Sequence, residues 1–281
     1  MEQQLLEIRD QQKASWNKFS TGWRKWDGLV NDFLQPMGDE IIKLIKPAGT
    51  DLVLDIAAGT GEPGLTIATM LNGGKVVITD IAEDMLSVAC DYATERDIYN
   101  IETQVADACE LPFADNTFDA ISCRMGFMFF PDMLLAAKEM VRVLKPGGRI
   151  ATSVWDGPEK NFWVTAMTAS INKHVEMVPP PPGAPGMFRC AKDGLITELF
   201  AQAGLKNISQ RDVAAQMNCR TADVYWDFTT EVVAPVVAVL SKTDEATRAK
   251  IKADLYKTVH EKYPEGKVLI DAGARVIYGE K

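Results

Sequence analysis

The stretch Val53–Ala68, VLDIAAGTGEPGLTIA, sets Gly59, Gly61 and Gly64 in the spacing G-x-G-x-x-G. That spacing makes a tight strand-to-helix turn and lets a ligand approach the backbone closely. A pyrophosphate there would want free amides and the positive end of the following helix. Instead, Asp55 stands ahead of the turn, Glu62 puts a negative charge in it and Pro63 removes a donor. Two more carboxylates follow at the ends of apolar runs, Asp80 in VVITDIAEDML and Asp107 in VADACELPF. The first can accept both hydroxyls of a ribose; the second can receive the exocyclic amine of an adenine.

A glycine turn furnished with carboxylates suits a cationic nucleoside better than a dinucleotide. S-Adenosylmethionine carries a sulfonium and an ammonium and has no phosphate. Asp80 alone does not discriminate, because NAD also has a ribose, so a nucleotide-cofactor oxidoreductase stays as an alternative, as does a non-catalytic S-adenosylmethionine-binding protein.

The elements that position these residues alternate. DLVLDIA, KVVITD, IETQVAD, FDAISCRM and GRIATSVW are predicted strands. Helices are predicted between them at 62–71, 82–94 and 132–143, the last closed by LKPGG. Such alternation implies a parallel sheet covered on both faces. Residues 1–48 are predicted helical, with Trp16, Phe19, Trp23 and Trp26 at spacings of three and four. That stripe is either ordinary core or a lid over a cofactor; Ser20-Thr21-Gly22 threatens its continuity. DEIIKLIKPAG predicts a short helix before the first strand. After Trp155 come a helical NFWVTAMTASINKHVEM, a stiff VPPPPGAPG loop suited to a pocket wall, a helix over 192–203, a strand NISQRDVAAQM, two helices at about 222–240 and 244–262, and a last strand ARVIYGE.

Here the sequence resembles the class I S-adenosylmethionine-dependent methyltransferases of the ubiquinone/menaquinone-biosynthesis type. The resemblance rests on VLDIAAGTGEPGLTIA, VVITDIAEDML, VADACELPFADNTFDAISCRMGFMFFPD and AAKEMVRVLKPGGRIATSVW, in the family's order across about 51–155. It implies an α/β, Rossmann-like, seven-stranded, mostly parallel sheet with the last strand antiparallel, plus helical cap and lid insertions. It implies S-adenosylmethionine as cofactor, S-adenosylhomocysteine as product and methyl transfer to a small-molecule acceptor. Asp55, Ala57, Gly59 and Gly61 match the motif that holds the methionyl end, with Thr60 inside it. Ala57 stands where glycine is commoner. Asp80 matches the ribose ligand, Ile81 its neighbour at the adenine, and Asp107 and Ala108 the adenine edge. Cys123 and Arg124 match the end of the fourth strand, facing the methionyl amine. The family often has histidines at the positions of Met128 and Phe129, and their absence leaves no base there. No [DNS]-P-P-[YFW] motif is present, which argues against methylation of exocyclic amines on bases.

Trp23 joins the expected cofactor-binding residues as part of the lid. The catalytic candidates are His174, a residue type suited to general-base work, and Arg124, a charge among apolar residues. Phe188 is a further candidate for acceptor choice. The expected organisation is one domain over 1–281: a helical cap at 1–48, a cofactor-binding core at 49–154, an insertion at 155–190, and the rest of the core at 191–281 with a two-helix lid at about 222–262.

The 281 residues, 47% hydrophobic and 25% charged, suit a well-packed domain. A net charge of -9 without a basic run disfavours nucleic acid. Five cysteines without a C-x-x-C pair and two distant histidines predict free thiols and no metal site. No apolar run is long enough for a membrane span, and the expected location is the cytoplasm. The sequence leaves monomer and homodimer open.

Overall fold

Short runs rich in Val, Ile and Leu are buried on both faces only when helices cover both sides of a sheet. The computed structural model, which describes residues 3–177, 181 and 183–281, has that arrangement. Its strands are β1 (Leu52–Ile56), β2 (Lys75–Asp80), β3 (Ile101–Val105), β4 (Phe118–Arg124), β5 (Leu144–Trp155), β6 (Lys206–Arg220) and β7 (Val268–Glu280). They form one seven-stranded sheet in the order β3-β2-β1-β4-β5-β7-β6. Neighbours are parallel except β7, which runs antiparallel to β5 and β6. The strand order reverses between β1 and β4, and in such sheets ligands bind in the crevice at the carboxyl ends there.

The helices are α1 (Gln3–Lys25), α2 (Asp27–Ile45), α3 (Gly64–Met70), α4 (Glu83–Glu95), α5 (Met133–Val143), α6 (Phe162–Asn172), α7 (Leu195–Gln202), α8 (Ala222–Val232), α9 (Ala234–Leu240) and α10 (Glu245–Lys262). Side-chain caps fix three starts: Asp132 accepts from the Leu135 amide, Thr221 from Val224 and Asp244 from Thr247.

Four local expectations are corrected. α1 runs through Ser20-Thr21-Gly22 without a break; a Cβ on Gly22 would meet the Glu231 carbonyl at 3.0 Å, so the glycine lets α1 press against α8. The short helix before β1 is the end of a 19-residue α2 that begins at Asp27, carries Pro36 and buries Phe33, Leu34, Met37 and Ile41. Pro63 precedes α3 instead of lying inside it. The segment after β6 holds three helices, because Pro235 has no amide hydrogen to give the carbonyl four residues back and so sits in the first turn of a new helix, separating α8 from α9 at Val233. Val178, Pro179, Pro180 and Pro182 of the proline-rich loop lie outside the described residues.

Candidate functional site

The turn after β1 is built on Asp55. Its carboxylate is fully buried, with Oδ2 accepting from the Gly64 amide at 2.8 Å and Oδ1 from Ser122 Oγ at 2.6 Å. A Cβ on Gly64 would lie 2.7 Å from that Oδ2, so only glycine fits over the aspartate. Burial pushes the Asp55 carboxyl up to about 7, against the two hydrogen bonds and nearby Arg124. Gly61, at φ +108°, admits no side chain either, since a Cβ would meet Leu65 Cδ1 at 2.8 Å. Ala57 holds a left-handed φ of 53°. Its methyl occupies the space that a Cβ on Gly126 would need, 2.6 Å away, so the alanine is accommodated by a glycine opposite it.

Above this turn lies a cleft of about 900 Å³ at the carboxyl ends of β1, β2 and β4. Ala57, Gly59, Thr60, Asp80, Ile81, Asp107, Ala108, Arg124 and Trp23 all face it. Gly59, at φ +56° with open space where a Cβ would stand, presents bare backbone to the cleft. Asp80 accepts from the Gly59 amide and the Ala82 amide, each at 2.9 Å, which ties the glycine turn to the end of β2. Burial raises its carboxyl above the ordinary range, and those backbone donors oppose the rise. Asp107 Oδ1 accepts from the Cys109 amide at 2.8 Å, while Oδ2 is buried without a partner among the described residues. A buried acceptor of that kind calls for a donor from a ligand.

Five sequence candidates do not face the cleft. Asp55 and Gly61 support it from beneath. Cys123 is buried beside Gly126, its thiol pushed up to about 12 by burial, and Thr152 Oγ1 donates to its carbonyl at 2.8 Å. His174 sits just beyond α6, with Nε2 2.6 Å from Asp254 Oδ2 on α10. It lines neither this cleft nor the chamber beside it. Phe188 packs on the core instead of lining either space. Glu62 faces the cleft, but its charge is shared: Oε1 lies 2.6 Å from Arg96 and Oε2 accepts from Thr66 Oγ1 at 2.7 Å.

A second space adjoins the cleft. Trp16, Trp23, Leu34, Met125 and Phe129 line both the cleft and an adjoining chamber of about 1260 Å³. The edge of Trp16 meets Phe129 at 5.1 Å between centroids. Deeper in, Phe33 stacks on Trp155 at 5.4 Å and meets Trp163 edge-on at 5.4 Å. Phe228, Val232 and Ala234 close the far side. None of the described residues lining the chamber has an ionisable side chain. The tryptophan stripe and the VPPPPGAPG loop, expected as a pocket wall, were its signals in the sequence, and Pro185 and Gly186 of that loop line it.

The ubiE/COQ5 methyltransferase family matches over residues 36–169. Over that segment the chain is similar to the class I methyltransferases of the ubiquinone/menaquinone type. A demethylmenaquinone methyltransferase from Listeria monocytogenes is 35% identical over 131 residues, 46% of this chain and 55% of that protein. A ubiquinone/menaquinone biosynthesis C-methyltransferase, UbiE, from Teredinibacter turnerae is 40% identical over 114 residues, 40% of this chain and 46% of that protein. The chain thus spans about half the length of the curated relatives it matches. Beyond the methyltransferase core, similarity is one of fold. The YcgJ protein of Bacillus subtilis superposes with a TM-score of 0.59 at 19% identity, covering 88% of this chain and 98% of that one.

The cleft fits S-adenosylmethionine. It offers Asp80 for a ribose, the free Oδ2 of Asp107 for an adenine amine, and bare backbone at Gly59.

Proposed function

We propose that the chain binds S-adenosylmethionine in the cleft and catalyses methyl transfer to a small, largely apolar aromatic acceptor held in the chamber. The observation that carries this is the junction of the two spaces across one wall, Trp16, Trp23, Leu34, Met125 and Phe129. One side has polar groups for a nucleoside and the other has aromatic faces for a flat ring. The relatives named for demethylmenaquinone and for ubiquinone/menaquinone biosynthesis support a quinone-type ring as acceptor.

The cofactor supplies a methyl group on a sulfonium, which is already a leaving group. The protein's task is alignment and dryness. Asp80, Asp107 and the Gly59 turn fix the nucleoside, and the chamber sets the ring. Such positioning supplies up to about 7–11 kcal/mol of a barrier. Trp16 and Trp23 of α1 line both spaces, which supports the reading of α1 as a lid that keeps water from the reacting atoms. With no ionisable side chain on the chamber wall, the acceptor has to bring an acidic or electron-rich nucleophile of its own.

We take 1–281 as one domain, capped by 1–48, with 155–190 and 222–262 as acceptor-side additions. Among the described residues no helix is long and apolar enough to cross a membrane. Five free cysteines, four of them buried, support a reducing compartment such as the cytoplasm. The test is calorimetry with S-adenosylhomocysteine and NADH, followed by a screen of phenols and reduced quinones for S-adenosylhomocysteine release. Binding of the first ligand, none of the second, and turnover of an apolar aromatic acceptor are expected. Tight NADH binding alone would restore the oxidoreductase reading, and cofactor binding without any turnover would favour a non-catalytic binder.

A further inference from the structure

β4 is a buried strand that ends on a guanidinium. The side chain of Arg124 runs beneath α2, its Cδ 3.9 Å from where a Cβ on Gly38 would stand. It lines the cofactor cleft and also a smaller polar cleft of about 600 Å³ bordered by Asn31, Gln35 and Asp39. It does not line the aromatic chamber. Burial lowers its pKa, and the charges of Glu62, Asp55 and Asp27 oppose that fall.

None of those three carboxylates bonds to it. Glu62 is taken by Arg96 and Thr66, Asp55 by Gly64 and Ser122, and Asp27 accepts from Asn31 Nδ2 at 2.8 Å. Among the described residues the Arg124 side chain has neither a hydrogen-bond acceptor nor an ion-pair partner. A guanidinium has five donors in a planar fork matched to a carboxylate, and that of Arg124, part-buried and open to the clefts it lines, keeps them free for a ligand. S-Adenosylmethionine has one anionic group, the α-carboxylate of its methionyl end.

Resting on the proposed cofactor reading, we infer that Arg124 receives the methionyl carboxylate and so makes the site selective for adenosyl ligands that keep their amino-acid end. Because Arg124 is absent from the chamber wall, its anionic partner belongs to the cofactor and not to the acceptor.

The test titrates wild type, R124K and R124Q with S-adenosylhomocysteine, with its decarboxylated analogue, which keeps the amine, and with 5′-methylthioadenosine, which lacks the whole tail. Wild type is expected to lose about 10- to 100-fold in affinity when the carboxylate is removed. R124Q is expected to bind S-adenosylhomocysteine as weakly as wild type binds the decarboxylated analogue, with R124K between them. Affinity for 5′-methylthioadenosine should stay within about twofold in all three proteins. An equal loss for every ligand in R124Q would make Arg124 a structural residue and overturn the inference. Wild type indifferent to the carboxylate would overturn it without any variant. Wild type binding none of the three ligands would remove the cofactor reading as well.

Discussion

The cleft and the chamber share a wall but are made differently. The cleft is assembled from segments that directly follow strands: 56–62 after β1, 80–85 after β2, 106–108 after β3 and 124–131 after β4. Its polar groups are held by hydrogen bonds to neighbouring backbone, as Asp80 holds Gly59 and Ala82. The chamber takes single side chains from α1, α2, the end of β5, α6, α8 and α9, and its walls are held by ring packing. A directional site changes sharply when one acceptor is lost, whereas a packed apolar one changes with volume. Cofactor binding and acceptor use should therefore be separable by mutation.

The sharpest break is expected at Asp80. Its alanine variant loses the ribose acceptor and leaves two amides without their acceptor, that of Ala82 buried and that of Gly59 part-buried. We expect cofactor affinity to drop at least about 100-fold by calorimetry. The melting temperature should fall with it, because each orphaned amide costs about 1–3 kcal/mol. A variant with unchanged affinity would place the nucleoside elsewhere.

Ala234→Phe tests the other side. Ala234 lines the chamber and not the cleft. Filling the space there should lower acceptor turnover at least about tenfold while the dissociation constant for S-adenosylhomocysteine stays within about twofold. Equal losses in both quantities would mean that the two spaces work as one.

Which parts the sequence made legible follows from the same contrast. The strand order, the glycine turn and the acids at 80 and 107 are local: each chemical residue sits within a few positions of the strand that aims it. The role of Asp55 was less legible, because an aspartate near the end of a strand does not announce that its oxygens will be consumed by Gly64 and Ser122. The chamber was legible only in part: the tryptophan stripe and the proline loop marked pieces of its wall, but Trp16, Phe33, Trp155 and Phe228 meet only after the chain has folded. The Met128 and Phe129 positions gave a partial warning. Without histidines there, those two positions had no base to offer, and the described chamber wall has none.

Asp55 offers a smaller, pH-dependent effect. Its folded pKa near 7 lies far above the ordinary 3.8. Between those values the folded protein keeps a proton that the unfolded chain has released. Stability from this group therefore falls as pH rises through that window and levels off above about 7. Asp55→Asn should flatten the slope, because an amide can still accept from Gly64 and donate to Ser122. Cationic cofactor should favour the ionised aspartate, so affinity in wild type should rise with pH through neutrality, by about three- to tenfold, and lose that dependence in the variant. An Asn variant that keeps the wild-type slopes would assign both effects to another group.

The smallest effect is expected at His174. Its imidazole is spent on Asp254, which also accepts from Lys173 at 3.2 Å, and the trio ties the end of α6 to α10. The hydrogen bond from His174, followed by that from Lys173, holds the Asp254 carboxyl below its ordinary range. An exposed pair of this sort is a surface tether, and a base must come within hydrogen-bond reach of the proton it takes. Asp254→Asn, which cuts the tether without touching the histidine, separates the two roles. If His174 is only a tether, His174→Gln and Asp254→Asn should leave the pH–rate profile of acceptor turnover superimposable on that of wild type. A neutral-pH limb lost in the histidine variant and kept in the Asp254 variant would make His174 the base, and would require the segment after α6 to reach the chamber during turnover.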